Sequence, residues 1–125
     1  MSIQNELKSR SISDQKINII AVSKTFTIDS IKPLIDHGHL HYGENKVQEA
    51  VEKWSKIKEI KKNLMLHMIG KLQTNKVKFV VPLFDYIHSL DNIKLAKKIS
   101  SEQKKINRNL KIFIQVNIGN ENQKN

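Results

Sequence analysis

The chain has no cysteine, few glycines and prolines and almost no arginine, and each shortage narrows what it can do. Without cysteine there is no disulfide framework, no thiolate metal site and no thiol nucleophile. The glycines stand apart at Gly38, Gly43, Gly70 and Gly119, so neither a phosphate-cradling P-loop nor a dinucleotide fingerprint is present. No apolar run approaches the roughly 20 residues that a bilayer span requires, so no membrane partner is expected. The opening MSIQNELKSR is too polar for a secretory signal, and the expected location is the cytoplasm.

What the chain does have is lysine. Its formal charge is +10 and its pI about 9.8, a balance that invites a nucleic-acid reading. Yet only Arg10 and Arg108 supply the planar fork suited to bases and phosphates, and the lysines, among them Lys56, Lys58, Lys61, Lys62, Lys97, Lys98, Lys104 and Lys105, are expected on solvated helix faces. A basic nucleic-acid-binding module is therefore the lesser reading, one that predicts steep salt dependence. Hydrophobic residues make up 38% of the chain and charged residues 27%, spread along its 125 residues, which fits one folded domain.

Apolar patterning alternates between short runs and helical stripes. INIIAV at 17–22 reads as a strand. A helix follows with Ile28, Ile31, Leu34 and Ile35 on one face, Thr27 as its cap, Gly38 as its stop and Pro33 as a kink or a delayed start. LHYGE at 40–44 is a second strand, and Ala50, Val51, Trp54, Ile57 and Ile60 mark the helix after it. LMLHMI at 64–69 is a third strand, and Leu72, Val77, Val80 and Val81 trace a helix ended by Pro82. DYIHSL at 85–90 is a fourth, Asp91 the expected cap of the next helix, and Ile93, Ala96, Ile99, Gln103 and Ile106 its stripe. KIFIQVNI at 111–118 is the fifth strand.

Alternation with crossover-length connections predicts an α/β fold with a parallel sheet, either doubly wound or a barrel. A barrel of eight units takes roughly 250 residues, so five strands ending at NQKN are expected to be the N-terminal part of a single barrel domain, incomplete at its C-terminus. The first and fifth strands would then be exposed edges.

In parallel α/β folds the chemistry lies at the carboxyl ends of the strands. There stand Ser23 and Lys24, then Gly43, Glu44 and Asn45, then Gly70, Ser89 and Asp91, and Asn117, which should converge at one mouth. Strand parity puts Lys24 beside Val22 and Ile20, so apolar flanks would desolvate it, lower its pKa and leave a neutral amine able to form a Schiff base. The alternative is a lysine that simply reaches solvent. Gln115 and Asn117 share a face of the fifth strand and fit a polar pocket wall. His67 either lines the pocket or is a satisfied core histidine. His37, His39 and His41 alternate as metal ligands might in a strand, but Gly38 breaks that strand, and no metal site is expected.

The stretches IIAVSKTF, HYGENKVQE, LHMIGKLQTNK, IHSLD and IQVNIGNENQK, in this order and spacing, resemble the YggS/PROSC family of pyridoxal 5'-phosphate homeostasis proteins over nearly all the chain after residue 16. That family is similar to the barrel domain of alanine racemase, so the resemblance implies a partial TIM-type (β/α)8 barrel of the fold-type III class. It implies that Lys24 holds pyridoxal phosphate as a Schiff base, that Asn45, His67, Gly70, Ser89 and Asn117 wall the cofactor pocket, and that Lys124 takes part in cofactor exchange. A second lysine common in the family two positions after the first is here Phe26. The family's later phosphate-binding segments have no counterpart in this sequence, so cofactor binding is expected to be impaired.

The function implied is a non-catalytic carrier in pyridoxal phosphate homeostasis, monomeric in its full-length form, with PLP-dependent apo-enzymes as recipients. A racemase-like enzyme fragment is the alternative. It would need an acid/base group opposite Lys24.

Overall fold

A computed structural model describes residues 19–114. Five strands alternate with helices: β1 (Ala21–Val22), α1 (Ile28–Asp36), β2 (His41–Glu44), α2 (Val47–Ile60), β3 (Met65–Met68), a 3-10 turn (Thr74–Lys76), α3 (Val77–Val80), β4 (Tyr86–Leu90), α4 (Ile93–Ile106) and β5 (Lys111–Ile114). The remainder of the expected fifth strand, with Gln115, Asn117 and Lys124, lies outside the described residues.

Each helix begins where a side chain can satisfy its free N–H groups, or where burial makes up for the lack of one. Thr27 caps α1 through its hydroxyl, which accepts from the Ser30 N–H at 3.3 Å. The helix starts directly after it and carries Pro33 inside, so the delayed start expected from that proline does not occur. Gly38, at φ 101°, turns the chain out of the helix in a conformation other residues rarely adopt. No side chain caps α2; it is held by Ala50 and Trp54, both fully buried.

Two expectations shift. The helix anticipated from Leu72 is a 3-10 turn followed by a single α-turn, because β-branched Val77, Val80 and Val81 favour burial over helix propagation and Pro82 stops the chain. The cap of α4 is Asn92, whose side chain accepts from the Leu95 N–H at 2.8 Å, while Asp91 accepts from the Asn92 amide. The buried row of α4 is Leu95 and Ile99, continued by Gln103, whose side-chain carbonyl accepts from the Leu110 N–H; Ile93 is 73% exposed, outside that i, i+4 row.

The strands pair in parallel in the order β1-β2-β3-β4-β5. A doubly wound sheet would reverse its strand order at a switch point; sequential order with right-handed crossovers stacks every helix on one face, the winding of a barrel. The sheet is not closed among the described residues, and β1 and β5 are its edges.

Between the sheet and the helices lies one core. Tyr42, Leu66, Met68 and Ile87 from the strands meet Trp54, Val77, Val80, Leu95 and Ile99. Tyr42 and Trp54 pack with their ring centroids 4.9 Å apart and their planes tilted by 40°, and burial raises the Tyr42 phenol to about 12. At the amino end of the sheet Asp85 accepts from the Leu66 N–H at 2.8 Å, from Arg108 at 2.8 Å and from Lys58. Lys58 is therefore partly buried in an ion pair, not on the solvated face expected from its sequence position.

Candidate functional site

The carboxyl end of β1 sends consecutive residues to opposite sides. Ser23 turns toward the helices, where its hydroxyl donates to Glu44 Oε2 at 2.6 Å. Lys24 follows on an exposed turn. The apolar shielding expected of its stem is missing: β1 is a two-residue edge strand, and the same-parity Val22 is 51% exposed.

That turn is strained and tethered. Thr25 has φ 67°, in the left-handed region that a β-branched residue occupies only under constraint, at a cost of roughly 1–3 kcal/mol. Its N–H donates to Glu49 Oε2 at 2.8 Å. This backbone hydrogen bond holds the Glu49 carboxyl below the usual range, with burial opposing and Lys53 reinforcing. Phe26, where the family often has a lysine, is 56% exposed.

At the end of β2 the expected mouth residues part ways. Glu44 is fully buried behind the sheet, where Oε2 accepts from Ser23, from Trp54 Nε1 at 2.9 Å and from Lys53 at 2.9 Å. It locks β1, β2 and α2 together and does not face the mouth with Lys24, because strand alternation sends it to the side of Tyr42.

Asn45 stays at the strand end, and its Oδ1 is buried with no hydrogen-bond partner among the described residues. Gly70 lies against it so closely that a Cβ on Gly70 would stand 2.6 Å from Asn45 Cβ and 2.8 Å from its carbonyl oxygen. Ser89 is buried, and its hydroxyl donates to the Gly70 carbonyl at 2.7 Å. Asn45, Gly70 and Ser89 thus form one interlocked rim across β2, β3 and β4, with Ser89 bracing it from behind. Outside this rim a groove of about 450 Å³ is lined by Asn45, Gln48 and Gln73 and by Lys46, Lys71 and Lys76.

The bare face of the sheet carries imidazoles. His41 Nδ1 is 2.9 Å from His67 Nε2, and His67 Nδ1 is 2.8 Å from His88 Nε2, so three rings on three neighbouring strands are joined in series. Tyr86 stacks on His67 at 4.0 Å with an interplanar angle of 3°, and Phe113 stacks on His88 at 4.8 Å. Burial is the first cause that lowers all three imidazoles; His67 falls to about 4, with His88 and His41 adding and Asp85 opposing.

Of the residues singled out from sequence, the structure brings Asn45, Gly70 and Ser89 together, puts His67 at the centre of the bare face and leaves Lys24 exposed at the edge. Asn117 and Lys124 lie outside the described residues. Thr25, Glu49 and His88 were missed. Parity with Tyr86 in DYIHSL could have found His88, whereas nothing local marks Glu49 as the tether of a turn 24 residues earlier. His39 bonds the His41 carbonyl at 2.8 Å, and among the described residues no group of three His, Asp or Glu is placed to hold a metal ion.

The chain is similar in sequence to curated proteins and in fold to solved structures. The chain is 40% identical over 123 residues to the pyridoxal phosphate homeostasis protein of Buchnera aphidicola subsp. Schizaphis graminum, covering 98% of this chain and 53% of that protein. With the protein of the same name from Escherichia coli K12 it shares 37% over 113 residues, 90% of this chain and 48% of the other. The fold superposes on PipY of Synechococcus elongatus PCC7942 solved with PLP bound, at TM-score 0.75 and 33% identity over 90% of this chain and 54% of PipY. The form of PipY without PLP gives 0.77 and 34%, over 94% and 55%. No protein-family model matches the chain. It spans about half the length of the curated relatives it matches.

Proposed function

We propose that this chain, a relative of the pyridoxal phosphate homeostasis proteins, contributes the lysine side of a pyridoxal phosphate site and acts as a carrier of the cofactor, not as an enzyme. The observation that carries this reading is the mouth itself. Lys24 leaves β1 on an accessible turn, and Asn45, at the end of the neighbouring strand, holds a buried polar atom without a partner.

These residues fit the group. Pyridoxal phosphate supplies an aldehyde that condenses with an amine, a phenolic oxygen and a phosphate. Lys24 would hold the aldehyde carbon. The Asn45 amide, whose orientation is set by what it binds, would meet a polar ring substituent, and Gly70 keeps that amide in place by leaving no room for a side chain. His67 would form part of the floor on the bare face, and Ser89 would support the rim through Gly70. Asn117 and Lys124 stay in the proposal as further contacts.

The carrier role is supported by the relatives' names, which speak of homeostasis of the cofactor; a cytoplasmic location and PLP-dependent apo-enzymes as recipients are part of the proposal. The test is an absorbance titration with pyridoxal phosphate on the chain and on Lys24→Ala. A band near the visible edge that develops only with Lys24 present is the expected result. A band that survives the substitution would remove Lys24 from the site, and no band at millimolar cofactor would remove the binding function from this length of chain.

A further inference from the structure

The histidine series does something that holding a cofactor on Lys24 does not require. A neutral imidazole has one donor nitrogen and one acceptor nitrogen. With both nitrogens of His67 engaged by other rings, the tautomers along the series are fixed in a single sense. If His88 Nε2–H donates to His67 Nδ1, then His67 Nε2–H donates to His41 Nδ1, and the outer nitrogens are His88 Nδ1 and His41 Nε2. Neither outer nitrogen has a hydrogen-bond partner among the described residues.

The series also has a direction in the fold. Gly43, His67 and Tyr86 stand in register across β2, β3 and β4. His41 is two residues before Gly43, toward the amino end of the sheet. His88 is two residues beyond Tyr86, in the layer of the strand mouths. Stacking on Tyr86 and Phe113 holds the His67 and His88 rings in plane, and His67 is only 4% exposed, so water has little direct access to its protons.

We propose that His41, His67 and His88 form a proton relay across the bare face of the sheet, joining the layer of the strand mouths to its amino end. A proton added to His88 Nδ1 releases the one on His88 Nε2 to His67 Nδ1. His67 passes its Nε2 proton to His41 Nδ1, and His41 releases one from Nε2, so one proton enters and one leaves. Ring reorientation or the reverse passage then restores the starting tautomers. The groups that face the series are His39 from the loop before β2, Asp85 from the bend before β4, Tyr86 from β4, and Lys111 from β5, whose ammonium stands 5.7 Å from the Tyr86 ring centre. The relay does not rest on the cofactor reading and is tested without cofactor.

The test is nitrogen-15 NMR of the side-chain imidazoles, with solvent exchange of the His67 ring protons measured at about pH 7. Three results are expected. Couplings are seen across both N–H···N bonds, and His67 exchanges fast for a buried group. The exchange slows roughly tenfold or more in His88→Phe and in His41→Phe, which keep an aromatic ring but cannot pass a proton. Backbone amide spectra of the variants establish that the fold is kept, and His37→Phe, exposed at the end of α1 and away from the series, serves as the control with unchanged exchange. Absence of the couplings, or exchange at His67 indifferent to both substitutions in a folded chain, would overturn the relay. If a variant does not fold, the couplings and the exchange rate of the unmodified chain still decide: slow exchange at His67 there refutes it.

Discussion

The two faces of the sheet are built on opposite chemistry. Toward the helices, polar groups are few and tied into the packing: Glu44 Oε2 by Ser23, Lys53 and Trp54, with Oε1 buried and without a partner among the described residues, and Ser89 by Gly70. Around them Tyr42, Leu66, Met68 and Ile87 are buried against Trp54 and the valines of α3. The other face, with no helix over it, carries His41, His67, Tyr86, His88 and Phe113. The same strands supply both, by alternation alone. The covered face holds the fold together, and the bare face keeps groups that can change protonation state.

That division is open to attack, most forcefully on the covered face. Glu44→Ala removes the charged acceptor shared by Ser23, Trp54 and Lys53, leaving the Trp54 N–H unpaired and Lys53 with only Glu49 and the Ser23 carbonyl, and is expected to destabilise the chain by roughly 3–5 kcal/mol in urea unfolding. A loss below about 1 kcal/mol would mean that the buried carboxylate is not the lock it looks like.

The bare face should answer to pH. His67 sits at about 4 in the folded chain against 6.5 when exposed, so the unfolded chain takes its proton first as pH falls. Stability should therefore be intact above pH 6.5 and drain away between 6.5 and 4, by roughly 3 kcal/mol from this residue. His41 and His88, also lowered, act in the same direction. Denaturation midpoints across that range, compared with His67→Gln, measure it; a flat profile would count against burial of the imidazole.

A smaller effect lies at the rim. Gly70→Ala forces a carbon into Asn45, with backbone atoms in the way, and should cost roughly 1–3 kcal/mol while shifting the Asn45 amide resonance. Smallest of all is Lys24→Ala, expected within about 0.5 kcal/mol of the parent because the residue is exposed, even though it removes the proposed cofactor bond. A large loss of stability there would blur the line between the holding face and the working one.

Much of the frame was legible in the sequence because alternation between period 2 and period 3.6 is a local property. The strands at His41–Glu44 and Tyr86–Leu90, the Thr27 cap and the Trp54 stripe needed nothing beyond neighbouring residues. What was not legible depended on which side a side chain took. Glu44 looked like part of the mouth but belongs to the core, since its partners come from β1 and α2. Lys58 looked solvated until Asp85 met it across 27 residues. The histidine series is the clearest case: three rings spaced 26 and 21 residues apart carry no shared motif, and only the strand register makes them neighbours.

The turn at Thr25 has a kinetic meaning. Lys24 stands beside a residue held in an unfavourable backbone conformation by the Glu49 carboxylate of α2 and by the Phe26 N–H donating to the Ser23 carbonyl, so the turn has energy to release when it opens. If the proposed carrier role holds, residence time matters as much as affinity. With Lys24 as the anchor, a tense turn behind the amine would shorten that time without weakening any contact to the cargo itself.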